Sequence, residues 1–597
     1  MGPTIRSILT AHGAGRRLVE TIERAYAAIS AHDDPALFIA ARPKAEALKI
    51  AAALEAAGPA GKSLFGVPFV VKDNIDVAGL PTTAGCPAFA YRPQRSAFVV
   101  ERLERAGAIA IGKTNLDQFA TGLVGVRSPY GVPRNALRAD LIPGGSSSGS
   151  ATAVGAGLVA FSLGTDTAGS GRVPAALNGI VGLKPSLGSL SASGVVPACR
   201  TLDTVSIFAR DVADAFLIYQ VAAGYDAADP YSRMFPAPVL SAPLPHPRIG
   251  APRVNQRLFF GDADAEAAFE TDLAKLAELG ATIVEFDIEP FYETARLLYE
   301  GPWVAERYAA TKPLIETNPE AFFPVTRTII QGARKYDAVS AFEAFYELAS
   351  LRRAAAKAWR DFDVMATPTL PRPYTIAAVA ADPITLNSNL GTYTNFVNLL
   401  DLAAIAAPSS LRADGLPASV TLIGPAGSDG LLAGLAQQMQ LRSTAFAKTR
   451  TSATRADASA SGAAPGRIEV AVVGAHLSGL PLNRELTVRG ATFVREVKTI
   501  PAYRLFALPG ASPPKPGLLR VAAGQGHAIA AEIWSLEASA FGAFVANIPA
   551  PLGIGTLLFS DKTSAKGFLV EAEATKGAKD ISEFGGWRAY LLSSPTP

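Results

Sequence analysis

Three residues of this chain could between them open an amide: Lys72, Ser146 and Ser170. Both serines sit in glycine-framed loops, GGSSSGS at 144–150 and DTAGSGR at 166–172. Such a loop can present a hydroxyl beside bare backbone N–H groups, which is what stabilising an oxyanion requires. A serine attacks only when a neighbour takes its proton. The usual neighbour is histidine, and the chain has five: His12, His32, His246, His476 and His527. None lies near the loops in sequence, so a Ser-His-Asp triad would need a distant histidine to fold back. Lysine is the other candidate base. Lys72 ends the apolar run GVPFVVK, where burial would lower its pKa. Bringing that pKa from about 10.4 to neutrality takes about 4 kcal/mol, within reach of a dry pocket. Taken singly, each feature has an ordinary reading. A strand-end lysine is usually a solvated surface group, and a Gly/Ser loop is more often a phosphate cradle or a plain turn.

These groups need a rigid frame. Short apolar runs at 65–73, 108–114 and 159–167 predict strands, and helical patterns at 14–57, 96–107 and 150–160 alternate with them. The segment 259–288 repeats the logic, with an acidic start, an amphipathic helix, a glycine stop and a strand. This alternation predicts an α/β fold around a mostly parallel or mixed sheet flanked by helices. Residues 444–467 then read TAFAKTRTSATRADASASGAAPGR, too poor in large apolar side chains to bury a core. We therefore expect a domain over 1–445, a linker over 446–466 and a smaller domain over 467–597. The last opens on the strand-like IEVAVVGAH at 468–476 and is expected to be α+β and barrel-like.

The assembled pattern resembles the amidase-signature family over about residues 20–440. It does so through GVPFVVKDNIDVAGLPTTAG (66–85), GKTNLDQFA (112–120), GGSSSGSA (144–151) and LGTDTAGSGRVPAALNGIVGLKPS (163–186). The separations, 74 residues from Lys72 to Ser146 and 24 from Ser146 to Ser170, are typical of it. The resemblance implies that Ser170 is the nucleophile, Ser146 a bridging serine after a cis peptide, and Lys72 the base. It also implies an oxyanion hole from the N–H groups of Thr167, Ala168, Gly169 and Ser170. Asp166 and Arg172 either brace the nucleophile loop or are ordinary structural ions.

Within that family, IDVAGLPTTAGCPAF (75–89) and KTNLDQFATGLVGVRSPYG (113–131) look like the allophanate hydrolase branch. So does LLYEGPWVAERYAA (297–310), where the resemblance assigns Tyr299 and Arg307 to the substrate carboxylate. A guanidinium fork suits that task, because it can grip a carboxylate with two charge-assisted hydrogen bonds. Pro302 should start a helix and place Arg307 in its second turn. The branch also carries a C-terminal extension like VVGAHLSGLPLNREL (472–486), implicated in decarboxylating N-carboxycarbamate, with His476 at the matching position. A histidine at a strand end is as readily structural.

The resemblance implies allophanate as substrate, no metal and no organic cofactor, a separate biotin-dependent urea carboxylase acting upstream, and a homodimer. The alternatives are an amidase for small neutral amides, which would not need Tyr299, Arg307 or the extension, and a catalytically silent scaffold. With net charge +3 and no basic stripe carrying interleaved aromatics, nucleic acid is not an expected partner. The two cysteines, Cys86 and Cys199, cannot make a disulfide framework, and no apolar run is long enough for a membrane span. We expect a cytoplasmic protein.

Overall fold

The computed structural model describes residues 2–443, 466–510, 512–522 and 524–593. Of the expected linker, only Gly466 is among them. The large domain is built on eleven strands: β1 (Phe38–Ala41), β2 (Pro68–Lys72), β3 (Ile109–Thr114), β4 (Phe161–Asp166), β5 (Val181–Lys184), β6 (Thr204–Ala209), β7 (Arg248–Pro252), β8 (Thr282–Phe286), β9 (Val364–Pro368), β10 (Leu402–Leu411) and β11 (Pro417–Pro425). They form one sheet in the order β1-β3-β2-β4-β6-β5-β10-β11-β9-β7-β8. β2 runs parallel to both β3 and β4, while β4 and β6 are antiparallel, so the sheet is mixed. β2 and β4 are buried at every position, which is why their sequences are continuous apolar runs rather than alternating ones. Phe69 and Phe161 stack across the pair, ring centroids 4.9 Å apart.

The predicted strands at 65–73, 108–114 and 159–167 and the helix–strand unit at 259–288 are present, slightly trimmed. The stretch 14–57 is less uniform than expected. Its first helix, Leu18–His32, stops at Asp33, which takes a left-handed φ of 50° two residues before Pro35. The chain then adds β1 as an edge strand antiparallel to β3 before the helix Lys44–Ala57. The helix predicted at 150–160 is shorter, Ser148–Gly155, and the chain turns at Gly157 with φ 75°. Its small residues let it lie against the sheet. A Cβ on Gly149 would stand 2.6 Å from the Leu37 carbonyl oxygen and 2.8 Å from Asn115 N.

The small domain is α+β. Five strands, β12 (Arg467–Val472), β13 (Thr492–Lys498), β16 (Ala530–Glu537), β17 (Leu552–Leu558) and β18 (Ser564–Val570), form a sheet ordered β13-β16-β12-β18-β17. A second sheet holds β14 (Tyr503–Ala507), β15 (Pro516–Arg520) and β19 (Lys579–Asp580). The expected barrel-like form is thus two sheets of five and three strands. One apolar core runs through both domains, from Phe69 and Phe161 to Val470, Phe493 and Trp534. The joint is hydrogen-bonded as well: Phe493 N donates to Ser241 Oγ at 3.0 Å, and Ala242 N to the Phe493 carbonyl at 3.0 Å. Among the described residues, no helix is long and apolar enough to cross a membrane.

Candidate active site

β2 and β4 are parallel neighbours, so their carboxyl ends open on the same side of the sheet, the usual position of sites in such folds. Lys72 is the last residue of β2. Ser170 lies four residues beyond β4, and Ser146 lies in the bend before the helix Ser148–Gly155. The structure brings the three together. Lys72 Nζ is 2.8 Å from Ser146 Oγ, which is 2.9 Å from Ser170 Oγ. All three side chains are buried. Burial pushes the Lys72 pKa down to about 7, although Asp117, Asp203 and Asp166 pull it upward. None of the five histidines takes part; His12, for example, is spent on the Phe65 carbonyl and the Thr21 hydroxyl.

Sequence reasoning missed the lysine's second partner. Lys72 Nζ also donates to Thr165 Oγ1 at 2.8 Å, and Asn74 Nδ2 donates to the same oxygen at 3.3 Å. Thr165 stood inside the quoted LGTDTAGSGR motif, but its reach to the lysine comes from strand pairing and not from spacing. A second missed residue is Asp117, fully buried, whose carboxylate accepts from Gly125 N and Arg127 N at 2.9 Å each. Its own N–H donates to the Ser146 carbonyl at 3.0 Å. The Gly145–Ser146 peptide is cis. A Cβ on Gly145 would fall 2.5 Å from Gly125 N and closer still to Asp117 Oδ2, so only glycine fits there.

The nucleophile loop is pinned from beneath. Asp166 forms a bidentate ion pair with Arg172, with both side chains fully buried and both N–O distances 2.9 Å. Burial raises the Asp166 pKa, but Arg172 outweighs it and holds the carboxyl below its ordinary value. The same carboxylate accepts from Gly169 N at 2.9 Å and Gly171 N at 3.0 Å, so the bracing alternative describes this pair. That geometry corrects one expectation. The Gly169 N–H, expected in the oxyanion hole, is already committed to Asp166. The N–H groups of Thr167, Ala168 and Ser170 find no acceptor among the described residues. The Thr167 hydroxyl bonds to Asp203, which also accepts from Ala198 N and Cys199 N.

Tyr299 and Arg307 come together as expected. The Arg307 guanidinium carbon stands 5.9 Å from the Tyr299 ring centroid. The helix carrying Arg307, Val304–Thr317, starts two residues after Pro302, so Arg307 closes its first turn and not the second. Arg307 is 3% exposed, yet it forms no ion pair with a carboxylate among the described residues. Its Nη1 donates to the Ala120 carbonyl at 3.1 Å and to Thr121 Oγ1 at 3.2 Å, leaving Nε and Nη2 uncommitted. It is close enough to Lys72 to help lower that group's pKa.

His476 belongs to a separate place. It lines an open pocket in the small domain with Glu485, Lys515, Phe544 and Phe568. Its Nε2 is 3.1 Å from Glu485 Oε2, and its ring stacks on Phe568 with centroids 5.1 Å apart. Asn483 Nδ2 donates to the His476 carbonyl at 2.8 Å. Glu532 is held in a separate buried knot with Ser478, Trp534 and Arg588.

The arrangement can therefore move a proton from a serine through a second hydroxyl to an amine, beside free N–H donors and an unpaired guanidinium. Comparison with known proteins agrees with that chemistry. The amidase family model matches residues 20–433, and that of the allophanate hydrolase C-terminal domain matches 468–592. The urea amidolyase of Saccharomyces cerevisiae is 45% identical over 88% of this chain, while the chain spans only 30% of that protein's length. The urea amidolyase of Lachancea kluyveri gives the same figures, 45% identity over 88% of this chain and 30% of its own. An allophanate hydrolase structure from Kluyveromyces lactis superposes with a TM-score of 0.78 at 41% identity, covering 99% of both chains. The chain belongs to the amidase family, and behind its amidase domain it carries the C-terminal domain of the allophanate hydrolases.

Proposed function

We propose that this protein hydrolyses allophanate through an acyl-enzyme on Ser170. Neutral Lys72 takes a proton from Ser146, and Ser146 takes one from Ser170 as its Oγ attacks the terminal carboxamide carbon. The oxyanion meets the N–H groups around Thr167, Ala168 and Ser170. The proton returns through the same chain to the departing nitrogen, so ammonia leaves and not an amide anion. Water then attacks the ester as its proton passes through Ser146 to Lys72, and that proton returns to Ser170 Oγ as the bond breaks and N-carboxycarbamate leaves. Loss of carbon dioxide from that product and then from carbamate gives, overall, ammonia and carbon dioxide. Tyr299 and Arg307 hold the substrate carboxylate, and His476 serves the decarboxylation in the second domain.

The observation that carries the substrate reading is Arg307, a buried cation with two uncommitted nitrogens and no carboxylate within ion-pair distance, Asp203 and Glu306 acting on it only from further away. A buried unpaired charge is costly and calls for a counter-ion. The domain division at 1–445, 446–466 and 467–597, the homodimer and the cytoplasmic setting belong to the same proposal. So does the upstream partner, a biotin-dependent urea carboxylase that makes allophanate.

Ammonia release from allophanate by wild type, Ser170→Ala and Arg307→Ala tests it. Ser170→Ala should lose at least about a thousandfold in kcat, as when a nucleophile is removed. Arg307→Ala should use allophanate poorly while retaining turnover of uncharged amides. An Arg307→Ala enzyme fully active on allophanate would return the protein to the amidases of small neutral amides, and a wild type inert on every amide would make it a scaffold.

A further inference from the structure

Arg307 does not hold its own position. Its Nη1 rests on Ala120 and Thr121, in a turn whose backbone is held against its preference: Phe119 and Ala120 both have φ 52°, in the left-handed region that side chains disfavour. This conformation aims the Ala120 carbonyl at Arg307. Thr121 contributes as well, because its hydroxyl donates to the Phe119 carbonyl at 3.1 Å while accepting from Arg307. Two successive left-handed residues persist only where neighbours enforce them. On one side the Phe119 ring is stacked on Phe322, centroids 5.1 Å apart. On the other side stands Arg127.

Arg127 is 1% exposed, and its two terminal nitrogens are spent on backbone carbonyls. Nη1 donates to Thr121 O at 3.0 Å and Nη2 to Pro383 O at 2.6 Å. Its N–H donates to Asp117 and its carbonyl accepts from Gln118 N at 2.8 Å, so it closes the loop at both ends of the turn. Its Nε is buried with no partner. Arg127 therefore brings a second buried guanidinium to the same turn; no carboxylate lies within ion-pair distance of it among the described residues, and its nearest counter-charge is the buried Asp117.

We propose that Arg127 is a positioning residue for the substrate's carboxylate: it clamps the Phe119–Gly122 turn so that Ala120 and Thr121 present the Arg307 fork to the ligand. This rests on the reading of Arg307 as the carboxylate anchor. Arg127 does not touch substrate, since both of its terminal nitrogens are already engaged. Its loss should be felt as loss of discrimination for charge and not as loss of the proton relay.

The test compares allophanate with biuret, its neutral isostere, in Arg127→Met, Thr121→Val, Arg307→Ala and the double variant Arg127→Met/Arg307→Ala. Arg127→Met should raise KM for allophanate by about tenfold or more with kcat within about threefold, and leave biuret turnover near wild type. Thr121→Val should move the same constant in the same direction, which keeps the idea testable if Arg127→Met folds poorly. In the Arg307→Ala background, Arg127→Met should add nothing further, as expected for residues acting through one contact. Equal losses on both substrates, or additive losses in the double variant, would overturn the proposal by making Arg127 a merely structural residue. If wild type leaves allophanate untouched, the substrate reading fails by itself. The clamp is then read from inhibition of neutral-amide turnover by oxamate, a short carboxylate, which should weaken in Arg127→Met and would refute the clamp if unchanged.

Discussion

At the scale of single residues, the chemistry turns on the charge of Lys72. Burial brings its pKa down to about 7, and only its neutral form can accept a proton from Ser146. On that basis kcat/KM for amide hydrolysis should climb about tenfold per pH unit below neutrality and level off above about pH 7. A flat profile between pH 5.5 and 8 would remove Lys72 from the role of base. The sign for stability follows from proton counting. Between about pH 7 and the ordinary lysine value, the unfolded chain binds a proton at this site that the folded one does not, so stability at Lys72 rises with pH across that window. A Lys72→Arg enzyme keeps the volume and a hydrogen-bond donor but stays cationic at any working pH. It should be inactive and less stable, because the pocket that keeps Lys72 neutral must then bury a permanent cation, read as a lowered melting temperature beside a kcat reduced by at least about a thousandfold. Substantial turnover by Lys72→Arg would mean that the serines find their base elsewhere.

At the scale of elements, the serines are held in place by backbone packed too closely to admit a side chain. Gly145 has Asp117 and Gly125 against it, and Asp117 in turn ties Ser146 to the loop at 125–127. Gly145→Ala should therefore move Ser146 or drive Asp117 out, with a fall in melting temperature and in activity together. Retention of both would show that the bend yields more easily than its contacts imply. The Asp166–Arg172 pair is the other fastener. Arg172→Met would leave the Asp166 carboxylate buried without its cation, a cost of about 3–5 kcal/mol seen by denaturant titration, whereas a change below about 1 kcal/mol would mean the carboxylate is solvated or protonated instead. These elements explain what could be read in the sequence. Lys72, Ser146 and Ser170 were legible because each sits in its own local pattern, a strand end or a glycine-framed loop. Thr165 was half legible, present in the motif without its lysine partner. Asp117 and Arg127 were half legible in the same way, inside GKTNLDQFA and KTNLDQFATGLVGVRSPYG without their partners, while Asp203 was not, because its meaning lies in packing between segments that carry no mutual signal in the chain. The strand β1 escaped for a related reason: four residues at a sheet edge, flanked by two helices, leave almost no period to detect.

At the scale of the molecule, the relay and the His476 cavity share one apolar core. The relay lies at the carboxyl edge of the eleven-stranded sheet, and the His476 cavity lies in the small domain, joined to the large one through Ser241, Ala242 and Phe493. Their environments suit consecutive steps. The first site is dry, with an unpaired guanidinium and free N–H donors, as attack on a carboxamide requires. The second pairs an imidazole with Glu485 and stacks it on Phe568, with Lys515 lining the same cavity. If His476 handles the dicarboxylate released by the first site, the two reactions should separate kinetically in a point variant. His476→Ala is expected to release the first ammonia from allophanate at the wild-type rate while carbon dioxide and the second ammonia lag behind it, the lag being absent in wild type. Simultaneous sampling of ammonia and carbon dioxide over the first turnovers reads this directly. If both products keep wild-type timing in His476→Ala, the stacked imidazole is a packing element and decarboxylation needs no help from it.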